Sequence, residues 1–207
     1  MSVLLVLVPG AYFRPGDFAA HGFLKGLEIE TVEAELPPSL YLEGDPAAWL
    51  QQNILAPARA RGVDRIWLLG ISLGALGALL AFQSDPADIA GMILLAPFLG
   101  TRGLIAEVAG AGGLAAWRPG EIAPADRERR MLARLKSETP PRLILGCGTE
   151  DRYADATRLL AAHAGTGIVT TEGGHDWPSW ERLWSQILQT APFSEQHQER
   201  MESACED

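Results

Sequence analysis

Short apolar runs alternate along the chain with longer segments in which apolar residues recur at helical spacing. Val3–Val8 and residues 65–69, 89–96 and 142–146 are rich in valine, isoleucine and leucine with little polar interruption. Runs of that kind fit strands covered on both faces, as in a parallel sheet. Residues 28–36 alternate polar and apolar side chains instead, the period of a strand with one face toward water, and are expected at a sheet edge. Ile168–Thr171 makes a short sixth strand. Helical patterns fall between them, over residues 18–26, 45–61, 75–82, 125–137, 153–164 and 176–189. Asp45 followed by Pro46 marks a helix start, and Gly62 marks that helix's end. Pro9-Gly10, Pro37-Pro38, Asp85-Pro86 and Pro140-Pro141 punctuate the rest.

Strands alternating with helices predict an α/β protein: a three-layer α/β/α sandwich around a parallel sheet of about six strands. No internal repeat or linker divides the chain. A single domain is expected over residues 1–192, with a polar, acidic tail over 193–207. The 101–141 segment has no strand pattern and is expected to be a small helical excursion from the sheet.

In an open parallel sheet, ligands bind at the carboxyl ends of the strands. The residues that follow each strand are therefore the ones to inspect: Pro9-Gly10-Ala11-Tyr12, Ser72, Pro97-Phe98, Asp151 and His175. Gly70-Ile71-Ser72-Leu73-Gly74 places a serine between two glycines where a strand turns into a helix. A side chain at either glycine would clash in so tight a turn. The turn presents the serine hydroxyl at the sheet edge, with the unpaired amide of Leu73 beside it at a helix N-terminus. A serine hydroxyl needs a base to become a nucleophile at neutral pH. His175, after Gly173-Gly174, is the candidate base, and Asp151 the candidate acid to orient it. Asp151 also fits as a cap of the helix at residues 153–164, which leaves Glu150 and Asp155 as alternative acids. His21 reads as a solvated or core-edge histidine. Trp177, Trp180 and Trp184 recur at helical spacing and read as core, with Trp177 also a candidate wall of the site. Tyr12, Phe13, Phe98 and Trp117 are candidates to line an apolar pocket or to cover the sheet.

Composition narrows the function further. The net charge is −9 and the pI about 4.9, so nucleic acid is not an expected partner. The four histidines are scattered, and none pairs with a second histidine or a cysteine at ligand spacing, so no metal site is expected. No dinucleotide-binding glycine motif and no P-loop occurs, and no cofactor is expected. Two cysteines, Cys147 and Cys205, make no disulfide framework and fit a reducing cytoplasm. The apolar start of the chain lacks a basic flank and ends in Pro-Gly, which reads as a core strand rather than a signal peptide. No run is long enough to span a bilayer.

Taken together, Gly70-Ile71-Ser72-Leu73-Gly74, Gly148-Thr149-Glu150-Asp151 and Gly173-Gly174-His175, in that order and each after a strand, resemble the α/β-hydrolase superfamily, in the manner of a small serine esterase. The resemblance runs from the first strand to the last helix. It implies the family's core without its first two strands, in sheet order 2-1-3-4-5-6, with the 101–141 excursion as a short helical cap. It also implies the roles of nucleophile, base and acid for Ser72, His175 and Asp151. An oxyanion hole would use the amide of Leu73 and an amide after the first strand, that of Ala11 or its neighbour Tyr12. Here the first strand ends in Pro9-Gly10, where the family usually has His-Gly. The implied activity is hydrolysis of a small-molecule carboxylic ester or thioester through an acyl-enzyme. Acyl transfer to another acceptor and a non-catalytic binding role are the alternatives. Oligomeric state is not legible in the sequence.

Overall fold

The computed structural model describes residues 1–137, 140 and 142–193. Cys205 and the expected tail beyond Phe193 lie outside the described residues, as does Pro141 at the end of the excursion.

Six strands form one sheet in the order β2-β1-β3-β4-β5-β6: β1 (Val3–Val8), β2 (Glu30–Glu33), β3 (Arg65–Ile71), β4 (Ile89–Leu95), β5 (Leu143–Gly148) and β6 (Ile168–Thr171). Every neighbouring pair is parallel. Order and direction are those expected from the sequence. β3 is buried along its whole length and β1 and β4 along nearly all of theirs, which explains their unbroken apolar composition. β2 is the edge strand of the alternating segment and is shorter than its pattern suggested. Only the amide of Ala34 carries the ladder further, to the carbonyl of Leu7.

Helices cover both faces. α1 (Asp17–Ala20) is shorter than expected, because Gly22 and Gly26 take left-handed backbone angles (φ 77° and 76°) and turn the remainder into loops. α2 (Ser39–Leu42) follows β2. The helix expected over residues 45–61 is three segments: α3 (Pro46–Leu50), a π-helical turn (Gln51–Leu55) and α4 (Ala56–Ala60). Pro57 has no amide hydrogen to donate to the preceding turn, and the ladder widens just before it. Asp45 caps α3, accepting from the amides of Ala47 and Ala48. α5 (Leu73–Ser84) lies against β3 and is buried over most of its surface.

The excursion between β4 and β5 holds α6 (Arg102–Gly110) and α7 (Arg127–Leu135). α8 (Ala154–Ala164) and α9 (Trp177–Leu188) are the last helices among the described residues, and Asp176 caps α9 through the amide of Ser179. One apolar cluster joins α3–α8 to one sheet face; a second joins Phe18, Phe23, Trp180, Trp184 and Ile187 to the other. Among the described residues, no helix is long and apolar enough to cross a membrane.

Candidate active site

The turn after β3 holds Ser72 at φ 55°, ψ −118°, a conformation that a residue with a Cβ adopts only under constraint. The constraint is visible. The Ser72 amide donates to the Leu95 carbonyl and the Ser72 carbonyl accepts from Phe98, both at 3.0 Å. A Cβ at Gly70 would sit 2.7 Å from the backbone of Ala75. A Cβ at Gly74 would run into the carbonyls of Val8 and Pro9. The second glycine therefore lets the end of β1 press against the first turn of α5, which sets the loop after β1 beside Ser72.

A similar close approach joins the other two residues. A Cβ at Gly148, the last residue of β5, would strike the Gly173 carbonyl. The Thr149 amide donates to Thr171 and the Glu150 amide to Gly173, at 2.9 and 3.0 Å. Gly173 itself has φ 109°. The loops after β5 and β6 are thus zipped together, with Asp151 on one and His175 on the other.

Three side chains meet there. His175 Nδ1 lies 2.9 Å from Asp151 Oδ2 and 3.1 Å from Oδ1, and His175 Nε2 lies 2.9 Å from Ser72 Oγ. The Asp151 side chain is fully buried and that of His175 is 10% exposed. An ionised carboxylate only accepts, so Nδ1 is the donor to Asp151, and Nε2 is left to accept from the serine hydroxyl. Tyr153 and Trp180 meet the His175 ring edge-on, with centroids at 4.8 and 5.0 Å. Asp151 Oδ1 also accepts from the Tyr153 amide at 2.8 Å, so the capping role and the histidine contact belong to the same carboxylate. Of the alternative acids, Glu150 is exposed and Asp155 pairs with Arg158 at 2.6 Å.

These residues open into a cleft of about 610 Å³. Ala11, Tyr12, Phe13, Leu73, Phe98 and Trp177 line it. Tyr12 is 93% exposed at the mouth. Neither the Ala11 nor the Tyr12 amide donates a hydrogen bond within the described residues, and the Leu73 amide heads α5. Trp117 does not belong to this wall. It is buried in the excursion, its indole N–H donating to Glu107 at 2.9 Å and its carbonyl accepting from Lys136. An isolated tryptophan between loops gave no sign of which surface it would cover.

Arg152, Tyr153 and Trp180 also line the cleft and were not among the expected site residues. The first two directly follow Asp151, and that adjacency was the available signal. His21 packs flat on Trp177, with centroids 3.9 Å apart and planes at 3°, and its Nδ1 lies 2.6 Å from Glu181. It supports the cleft wall from behind. Among the described residues, no group of three or more His, Cys, Asp or Glu side chains is placed to hold a metal ion.

No protein-family model matches the chain, and no curated protein matches it in sequence. Solved structures do match. The fluorophosphonate-binding serine hydrolase FphF of Staphylococcus aureus is 12% identical, with a TM-score of 0.65 over 93% of this chain and 84% of its own. S-formylglutathione hydrolase (FrmB) of the same organism is 12% identical, with a TM-score of 0.62 over 91% of this chain and 79% of its own. Carboxylesterase CesB of Bacillus subtilis is 15% identical, with a TM-score of 0.57 over 90% of this chain and 82% of its own. Sheet order, strand direction and these likenesses agree that the chain has the α/β-hydrolase fold.

Proposed function

We propose that the protein is a serine hydrolase that cleaves small-molecule carboxylic esters or thioesters through an acyl-enzyme. One observation carries this reading: the unbroken hydrogen-bonded chain from Ser72 Oγ through the His175 imidazole to the buried Asp151 carboxylate. In this reading His175 Nε2 takes the hydroxyl proton as Oγ attacks the substrate carbonyl. The imidazolium then protonates the leaving oxygen or sulfur. Asp151 holds the imidazole in the tautomer that allows the first step, and its charge stabilises the imidazolium. The tetrahedral oxyanion would be met by the Leu73 amide and by the amide of Ala11 or Tyr12. Pro9 cannot serve, since it has no N–H. Water, activated by the same histidine, would release the acid. The esterase and hydrolase names of the structural neighbours favour the same class of reaction.

The test is turnover of p-nitrophenyl esters and acyl thioesters of increasing chain length by the wild type, Ser72→Ala and His175→Ala. Each substitution is expected to lower kcat by about 10⁴-fold or more. Turnover that survives in Ser72→Ala would overturn the assignment.

A further inference from the structure

A second groove, of about 660 Å³, runs between α6 and α8 and meets the cleft at Arg152 and Tyr153, which line both. Its floor is apolar, built from Ile105, Ala109, Ala156 and Leu159 among others, and its rim carries Arg102, Arg152 and Arg158 with one carboxylate, Asp155. Three guanidinium groups on one groove run against the composition of a chain with net charge −9. Arg158 is paired with Asp155. Arg102 and Arg152 have no carboxylate or hydrogen-bond partner among the described residues; Arg152 lies over the Tyr153 ring, 5.2 Å from its centroid. Tyr153 in turn packs on the His175 ring, so this arginine sits one side chain away from the hydrogen-bonded histidine. Arg102 occupies the first turn of α6, where the helix dipole disfavours a cation, so helix stability does not account for it.

A third groove reaches the cleft on the other side, through Leu73 and Phe98. It differs in charge. Its arginines are engaged, Arg127 with the carbonyls of Leu40 and Tyr41 and Arg130 with that of Pro124, and Asp45, Asp126 and Glu128 line it as well. Of the two grooves, only the one between α6 and α8 offers open cations over an apolar floor.

We infer that the α6–α8 groove is a specificity site for substrates bearing an anionic group, carboxylate or phosphate, joined by an apolar spacer to the scissile ester or thioester. The spacer lies along the apolar floor and the anion meets the guanidinium groups of Arg152 and Arg102. Hydrogen bonds from guanidinium to an anion are stronger than neutral ones, and both arginines are exposed enough for the interaction to weaken with salt. The inference rests on the hydrolase reading above.

Two matched substrate pairs test it and identify the source of the charge. The first sets p-nitrophenyl hydrogen adipate against p-nitrophenyl hexanoate, with the anion on the acyl side. The second sets S-hexanoyl phosphopantetheine against S-hexanoyl pantetheine, with the anion on the leaving group. In at least one pair the anionic member is expected to have a kcat/KM about tenfold higher at low ionic strength. That preference should fall to near parity at high salt and in the double variant Arg102→Gln/Arg152→Gln. Parity in both pairs for the wild type, or a preference unmoved by the double substitution, overturns the inference. Calorimetric binding of two pairs to Ser72→Ala, monoethyl adipate against ethyl hexanoate and S-hexanoyl phosphopantetheine against S-hexanoyl pantetheine, supplies a readout independent of turnover. Tighter binding of the anionic member in at least one pair, lost on adding the double substitution, supports the groove even if no substrate is cleaved; equal binding within both pairs contradicts it. Absence of turnover alone would count against the hydrolase reading, not against the anion site.

Discussion

Asp151 shows how much one side chain can be asked to do. Its carboxylate accepts from the His175 ring and from the Tyr153 amide, so in the proposed mechanism it orients the base, and it also closes the turn that leads into α8. The two duties are separable by substitution. Asp151→Asn keeps an oxygen for the Tyr153 amide but can offer the ring an N–H, which favours the wrong tautomer. It is expected to leave the thermal midpoint nearly unchanged while lowering kcat about 10⁴-fold. Asp151→Ala removes both acceptors and should in addition destabilise the fold by about 1–3 kcal/mol, read from urea unfolding. Equal unfolding midpoints for the two variants would show that the Tyr153 contact contributes nothing. Ser72 is the complementary case, a residue whose backbone angle is unfavourable by itself and is held by Leu95, Phe98 and the two glycines that flank it.

At the scale of elements, tight backbone approaches place the site. Gly74 seats β1 against α5, and Gly148 seats β5 against the loop after β6; both glycines were visible in the sequence, but only the packing shows what each one touches. Apolar runs and one alternating segment were enough to anticipate a parallel sheet of six strands, because a buried parallel strand leaves little freedom in composition; the order of the strands came from the resemblance to the α/β-hydrolases. Helix ends were less legible. The π-turn before Pro57 and the early end of α1 depend on single amide groups and on local glycine angles that periodicity does not encode. The place of Trp117 is not legible for a related reason: its partner, Glu107, is ten residues earlier on a helix that the sequence does not resolve from its surroundings. Glu107 links α6 to α7 through Arg129 as well as to Trp117, and those hydrogen bonds hold its carboxyl well below the ordinary 4.5, at about 2. A folded-state value below the unfolded one means that the contact stabilises above about pH 4.5 and that this stabilisation is lost as pH falls toward 2. The difference in thermal midpoint between wild type and Glu107→Gln is therefore expected to be largest near neutrality and to shrink steadily below pH 4.5. A difference that does not change with pH would contradict the assignment.

For the whole molecule, the sheet gathers at one edge the ends of β1, β3, β5 and β6, and with them every residue of the proposed mechanism. Ser72, Asp151 and His175 could be picked out from their order and from the strands before them. The arginines of the α6–α8 groove could not, because nothing in a run such as Thr101-Arg102-Gly103 tells a solvated cation from one that faces a cleft. The central claim is that Ser72 is an activated nucleophile, and covalent labelling tests it most directly. Incubation of the full chain with a fluorophosphonate probe, followed by mass spectrometry of the peptide containing residue 72, should give one adduct, on Ser72. That adduct should be absent in Ser72→Ala and strongly slowed in His175→Ala. A folded wild type that remains unlabelled, or labelling that persists in Ser72→Ala, would contradict the account.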